Sequence, residues 1–512
     1  MNRLTRHGAV GAVVAAMFAA VGSIALAPPA GASTVANTLS GEGGTFLQPV
    51  VTKLVSDSSS NLDGLFGAFV ATGLDTGIRD FVGSGKNAFN ADFAVTERPL
   101  NATESSTATA NGRTYAYVPF AATPVAIGTL VPTSAYSGGN TIDSADLCPH
   151  INLTVADVGA IYGYDNAQPV NSWNDPRFTC SNGLTLGFNP SLAANDDPSM
   201  ANYALMTLLD SDPTAKSYFA AGLQHAFATH SGTTSSTTPT ETWPYTGADV
   251  IAGGDYPLVG KLLTINATTN APSTVPAQLD LGATFPISSV WTGSPLGAPW
   301  NIPTAAIQNA AGSFVAPSST SAAAAEASAT LAATSDPTTN NLVTFDPTAS
   351  DATAYNNYLM EESYLVVPTN GLSATKATAL ANLIRFALGP DGQQDITSFG
   401  AAPATAAMDA AGLAVAGELD AEAAEAPSTA SRSSTTTTTT NAAGTSGAAT
   451  TTGSDTGSTA SGSTTDTSGT SSSSGLAFTG SPDLVPLVAS GVLLLVVGAV
   501  VRRRLRRRPA RS

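Results

Sequence analysis

The composition of this 512-residue chain changes abruptly near residue 426, and that change fixes how much of it can build a core. From 427 to 475 the sequence is almost wholly Ser, Thr, Gly and Ala, including the run Thr435–Thr440. Such a segment lacks the apolar side chains that offset the entropy of ordering, so it is expected to form a disordered stalk. As a flexible tether of about 50 residues it would reach roughly 40 Å. Beyond it, 484–501 carries no charge and as a helix would span roughly 27 Å, close to the thickness of a bilayer core. Residues 502–512 form a basic tail that stays on the cytoplasmic side of a membrane. The run 484–501 therefore predicts a transmembrane helix, with everything before it outside the cell.

The amino end agrees. Arg3 and Arg6 form a basic region, Ala9–Ala27 is apolar, and Ala30-Gly31-Ala32 fits the small-residue cleavage rule. Residues 1–32 thus read as a signal peptide, with the mature chain starting at Ser33. No Cys follows the apolar stretch to carry a lipid, and Arg3 and Arg6 are not adjacent, as a twin-arginine signal requires. What remains for folding is 33–426. Nearly 400 residues exceed one ordinary core, so two lobes are expected.

Charge narrows the function. Of 20 Lys and Arg, two lie in the leader and seven in the tail, which leaves eleven against 37 Asp and Glu, about −26 for the exported part. A surface of that sign repels nucleic acid. Cys148 and Cys180 are the two cysteines of the chain. In an oxidising compartment pairing is the default, and a bond across that loop stabilises by roughly 3–4 kcal/mol in the chain-entropy model.

Strands are predicted at Tyr115–Phe120 and Tyr364–Val367. Thr154 reads as an N-cap with Asp157 three residues on, and Val155, Val158, Ile161 and Tyr162 then share a helical face. A second helix begins near Ser373, turns Leu380, Leu383, Ile384, Ala387 and Leu388 inward, and stops at Gly389-Pro390. Strand–helix alternation argues an α/β fold. The run Leu39-Ser40-Gly41-Glu42-Gly43-Gly44-Thr45 precedes Phe46, Leu47, Val50, Val51, Leu54 and Val55 at helical spacing. A glycine-rich turn opening a helix offers amides to an anion.

The motif Leu476-Ala477-Phe478-Thr479-Gly480, placed before the apolar run and the arginines, resembles a sortase sorting signal of the variant used by class E sortases. The resemblance implies cleavage between Thr479 and Gly480 and linkage of Thr479 to the cell wall. It makes sortase a partner and the cell surface the location, with anchoring to wall or membrane through the C-terminus.

A second resemblance spans most of Ser40–Thr405. Phe81-Val82-Gly83-Ser84-Gly85-Lys86, Ala91–Leu100, Tyr117-Val118-Pro119-Phe120, Asn152–Gly163, Ser172–Pro176, Ile307–Pro317 and Gly392-Gln393-Gln394 follow one another as in the periplasmic phosphate-binding proteins, the solute receptors of phosphate ABC importers. That family implies two α/β lobes joined by hinge strands, with the ligand in the cleft between them. Its binding residues fall on Thr45 and Phe46, on Ser84, on Glu97 in place of an Asp, and on Ser199. Its phosphate-clamping Arg has become Asn195, and its Gly-Thr has become Met200-Ala201. Losing such a charge-assisted donor costs roughly 1.5–3 kcal/mol of binding. Arg98 and Lys86 are the candidate replacement cations.

His225 and His230, five apart, do not share a helical face, and no Asp, Glu or Cys cluster accompanies them, so no metal is expected. Glu361-Glu362 reads as a solvated turn before a strand. No nucleophile elbow and no Ser/His/Asp set is visible, so no catalysis and no cofactor are expected. The sequence therefore predicts a surface-anchored receptor for phosphate or a related oxyanion, with an ABC permease as a partner. The alternative is a ligand-free structural or adhesive surface protein that reuses the fold.

Overall fold

The computed structural model describes residues 38–425, apart from 63–64, 85–88, 137–143, 164–171, 196, 230–235, 245–249, 252–253, 263–264, 267–270, 273–280 and 294–300. The leader, the stalk, the sorting motif with Thr479 and Gly480, the apolar run 484–501, the arginine tail and Lys86 lie outside the described residues. Among the described residues no helix is long and apolar enough to cross a membrane.

The chain builds a mixed α/β fold. β1 (Thr38–Gly43), β2 (Phe66–Ala71) and β3 (Phe93–Thr96) are parallel, with β1 in the middle. Helix α1 (Gln48–Asp57) follows β1, α2 (Leu74–Val82) follows β2 and α3 (Ala102–Ala110) follows β3. The glycine run 39–45 is thus mostly strand, and only Gly44 and Thr45 turn towards α1. Packing explains the glycines. A Cβ on Gly41 would stand 2.1 Å from the Phe93 ring. On Gly77 of α2 it would stand 2.6 Å from the backbone N of Gly43, so two glycines let α2 lie directly on the end of β1.

The sheet continues through β4 (Tyr115–Thr129), which at ~3.3 Å per residue is about 50 Å long. The remaining strands are β5 (Ser191–Leu192), β6 (Ala283–Ser288), β7 (Met360–Pro368) and β8 (Ala402–Pro403). Their order is β2-β1-β3-β7-β4-β6-β5, with β8 also against β4. β7 runs antiparallel to both β3 and β4. β4 pairs with β7 from Tyr115 to Pro124 and then with β6 from Val125 to Thr129. Proline lacks the N–H a ladder needs, and Pro124 sits where β4 changes partner. The register slips by one residue between Ser363 and Tyr364, opposite Pro119 and Ala121.

Two lobes hang from this shared pair. The first holds β1–β3 with α1–α3. The second holds β5, β6, α4 (Val155–Tyr162), α5 (Met200–Ser211), α6 (Pro213–Thr229) and α7 (Asp255–Leu262). Later come α8 (Ser319–Glu326), α9 (Ala374–Leu388), α10 (Pro390–Ser398) and α11 (Ala406–Glu425). Thr154 caps α4 in a reciprocal box with Asp157, and Ser373 caps α9, where Leu380, Leu383, Ile384, Ala387 and Leu388 are all buried. Lys376 of α9 reaches both oxygens of Asp92, at 2.7 and 2.8 Å, and Asp92 Oδ2 also accepts the Ser40 amide, which ties α9 to β1. Cys148 and Cys180 form the expected disulfide, with Cα atoms 5.6 Å apart.

The contact of α2 with β1 sets up a test. Alanine is the better helix former by about 1 kcal/mol, yet Gly77→Ala is expected to lower the unfolding free energy by about 1–3 kcal/mol, because the Gly43 backbone cannot yield. Urea unfolding measures this. A variant as stable as the parent would contradict the packing.

Candidate functional site

The parallel strands β1–β3 end on the side facing the second lobe. Gly44 and Thr45 leave β1 there, Gly73 and Leu74 start α2, and Glu97 and Arg98 leave β3. A Cβ on Gly44 would lie 3.7 Å from Glu97 Oε2 and 3.8 Å from the Leu74 nitrogen, so these three chain ends meet. In front of them is a cleft of about 540 Å³, lined from both sides by Asp75, Glu97, Arg98, Glu241 and Glu361 among others.

Thr45, Glu97 and Ser199 come together, but largely through residues of the second lobe. The Asp255 amide at the start of α7 donates to Thr45 Oγ1 (2.9 Å), and the Trp291 indole N–H donates to the Thr45 carbonyl (2.9 Å). The hydroxyl proton of Thr45 is left for another acceptor. Asp255 Oδ1 accepts from Asn195 Nδ2 (2.7 Å), which also reaches Ser199 Oγ at 3.4 Å. Ser199 is the N-cap of α5 and accepts the Ala201 amide. Asn195, which stands where the family resemblance places an arginine, therefore serves Asp255.

Two of the expected residues go elsewhere. The Phe46 side chain is buried in the core beneath α1. Ser84 lies past the carboxyl end of α2, where Gly83 is left-handed, and its amide and hydroxyl both donate to the Arg79 carbonyl. Glu97 faces the opposite end of that helix. Arg98 is engaged: its guanidinium forks onto both oxygens of Glu104 (2.8 and 2.9 Å), donates to Asp75 (2.9 Å), and lies 2.8 Å from Glu241 as an ion pair. Arg98 therefore links the lobes while carrying no unbalanced charge.

The lining is acidic. Glu97 is only 4% exposed, and its Oε1 has no hydrogen-bond partner. Burial, and then the charge of Asp255, push Glu97 to about 8. Burial also raises Asp255 to about 6, against the hydrogen bonds from Asn195 and the Ser288 amide. Burial raises Glu241, which Arg98 partly reverses. Glu361 is raised well above the usual carboxylate range by burial and by Glu97 and Glu241. Burial depresses Arg98, and Glu104 and Glu241 more than restore it.

Glu361 and Glu362 belong to β7 and are not a solvated turn. Strand alternation sends them apart: Glu361 feels Glu97 and Glu241, whereas Glu362, 3% exposed, feels Glu326 of α8. Asp255 and Glu241 were not singled out from the sequence, and Glu361 was read there only as part of a solvated turn. The one local signal was Gly254 before Asp255, where Gly254 is left-handed and a Cβ on it would stand 2.3 Å from Thr45 Oγ1. Among the described residues no group of three His, Cys, Asp or Glu is placed to hold a metal ion.

Residues 28–278 match the PBP superfamily domain. No curated protein shows significant sequence similarity to the chain. Among solved structures, the chain resembles a high-affinity periplasmic phosphate-binding protein bound with phosphate, with 16% identity, TM-score 0.48, and coverage of 73% of this chain and 92% of that one. It also resembles a phosphate-binding protein from Stenotrophomonas maltophilia, with 16% identity, TM-score 0.49, and coverage of 74% and 94%. A third is a putative phosphate ABC transporter substrate-binding protein with bound phosphate from Clostridium perfringens, with 10% identity, TM-score 0.38, and coverage of 72% and 100%. At these similarities the ligand has to be read from the cleft's own atoms.

Glu97 makes stability depend on pH with a definite sign. Its value rises from about 4.5 to about 8 on folding, so the folded chain keeps a proton that the unfolded chain releases in that window. The contribution is favourable in acid and is lost as pH rises through about 8. Glu97→Gln is therefore expected to raise Tm by about 2–5 °C at pH 8 and to change it little at pH 4. Equal effects at both pH values would contradict a buried, protonated Glu97.

Proposed function

We propose that this chain is a solute-binding protein that captures a small solute in the cleft between its two lobes. Glu97 carries the reading: a carboxyl group held in a cleft wall, almost fully buried, with one oxygen left without a donor. Glu97 Oε1 is one of several buried polar atoms without a partner among the described residues, and its carboxyl group borders the cleft, where a solute could supply one.

Phosphate or a related oxyanion is the ligand that the family resemblance implies and that the similar solved proteins are described as binding. In this cleft it would be met by a protonated Glu97, with Arg98 already balanced by carboxylates, whereas Thr45 and Ser199 are not among the residues that line it. Such binding would strengthen as pH falls. The proposal extends to display outside the cell by the sorting motif around Thr479 and Gly480, with sortase as a partner. It also extends to delivery of the solute to an ABC permease within reach of the stalk.

The ligand-free structural or adhesive reading is favoured by one observation. Thr45 with Asp255 and Trp291, and Arg98 with Glu241, join the lobes directly through the chain's own groups.

Calorimetric titration of the full chain in a non-ionic detergent with phosphate and sulfate, at pH 5.5 and pH 9, tests the oxyanion. Heat with phosphate at pH 5.5 that fades by pH 9, and that Glu97→Ala weakens at least tenfold, is the expected result for oxyanion capture. Silence from both anions at both pH values would remove that ligand.

A further inference from the structure

We infer that the ligand class of this cleft is an organic cation, an ammonium group received by Glu97 in a wall made acidic by Glu241 and Glu361, with its apolar body against the aromatic wall. The inference rests on the solute-binding reading above and replaces its oxyanion.

Three independent features point the same way. The first is the sign of the charges. Around Glu97 stand Asp255 from α7, Glu241 from the loop before it and Glu361 from β7. Among the described residues that line the cleft, Arg98 is the only basic one, and Asp75, Glu104 and Glu241 already answer it. An incoming anion would hold these carboxyl groups protonated still more firmly, whereas a cation favours their carboxylate forms.

The second feature is the orphaned atom. Glu97 Oε1 has no hydrogen-bond partner among the described residues, in a group that is 4% exposed. An ammonium supplies both the N–H and the charge, and charge-assisted hydrogen bonds of this kind are the strong ones.

The third is the remaining wall, formed by Leu100, Met200, Tyr203, Val343, Phe345 and Tyr364. Tyr203 is 39% exposed, large for an aromatic on a cleft wall. An apolar and aromatic surface beside carboxylates suits an alkyl or aryl ammonium, through burial of its body and cation–π contact. A bare, strongly hydrated metal ion has no use for such a wall, and no trio of ligating groups is placed for one among the described residues.

Binding then costs Glu97 its proton. Glu97 holds that proton up to about pH 8 in the empty cleft, with Asp255, Arg98, Glu241 and Glu361 as the charged groups that face it, so an ammonium that demands the carboxylate must displace it. Cation affinity therefore rises with pH, opposite to oxyanion affinity.

The test is calorimetry on the full chain in non-ionic detergent with benzylammonium, with benzyltrimethylammonium (whose charge is fixed), with benzyl alcohol as the neutral control, and with phosphate, at pH 6 and pH 8.5. Expected are binding of the ammonium ions at least tenfold tighter at pH 8.5, release of a proton seen as a dependence on buffer ionisation heat, and silence from benzyl alcohol. Glu97→Gln, whose folding is checked by its Tm, should weaken binding at pH 8.5 at least tenfold and flatten the pH dependence. Phosphate binding without ammonium binding overturns the cation while leaving the solute-binding reading intact. Ammonium affinity that falls with pH, or equals that of benzyl alcohol, also overturns the cation. Silence from every probe overturns both.

Discussion

The pairing of β4 with β7 holds the two lobes in one frame. Because β4 gives its first ten residues to β7 and its last five to β6, both lobes are built on one strand, and their separation is set by the pleat of that strand. The partner change at Pro124 and the register slip beside Pro119 fall between the lobes, where ladder hydrogen bonds are already missing. Given that frame, the carboxyl ends of β1 and β3 must face the second lobe. Gly44, Thr45, Glu97 and Arg98 sit on those ends, and this is the general place where open α/β sheets bind ligands.

Burial of Glu97 follows from the same frame. The Gly43–Gly77 contact draws α2 onto β1, and Asp255 closes over Thr45 from the other side. A carboxyl group between them loses its water and gains acidic neighbours, so desolvation dominates its chemistry. The residues that decide charge in this cleft come from β3, from β7 and from the second lobe. Fold and ligand are separable in this way because a scaffold fixes where a site lies, and its side chains fix what the site accepts.

Much of the scaffold was legible because its signals are local. The capping pairs Thr154/Asp157 and Ser373/Lys376, the apolar spacing of α9 and the stop at Gly389-Pro390 are each written within one or two turns. So is the core of β4. The glycine run 39–45 was harder, since Gly41 and Gly43 serve strand packing against Phe93 and Val95 more than amide exposure. The site was legible only in part. Thr45, Glu97 and Ser199 were found through the family resemblance and do gather, whereas Ser84 closes the wrong end of α2 for that purpose. Asp255, Glu241 and Glu361 come from segments more than a hundred residues away, and nothing in their local sequence marks them as neighbours of Glu97. Long-range electrostatics is a tertiary property, and a one-dimensional pattern does not carry it.

The central claim, that Glu97 is a buried acid awaiting a partner in the cleft, can be read directly from its own titration. Carboxyl carbon NMR on the full chain, with Glu97 assigned by loss of its signal in Glu97→Gln, would follow that group from pH 4 to pH 10. The account predicts a midpoint near 8 in the empty chain, which moves down by two units or more when a saturating ammonium ion is present. A midpoint in the ordinary range of about 4–5 in the empty chain would place Glu97 in water and contradict it.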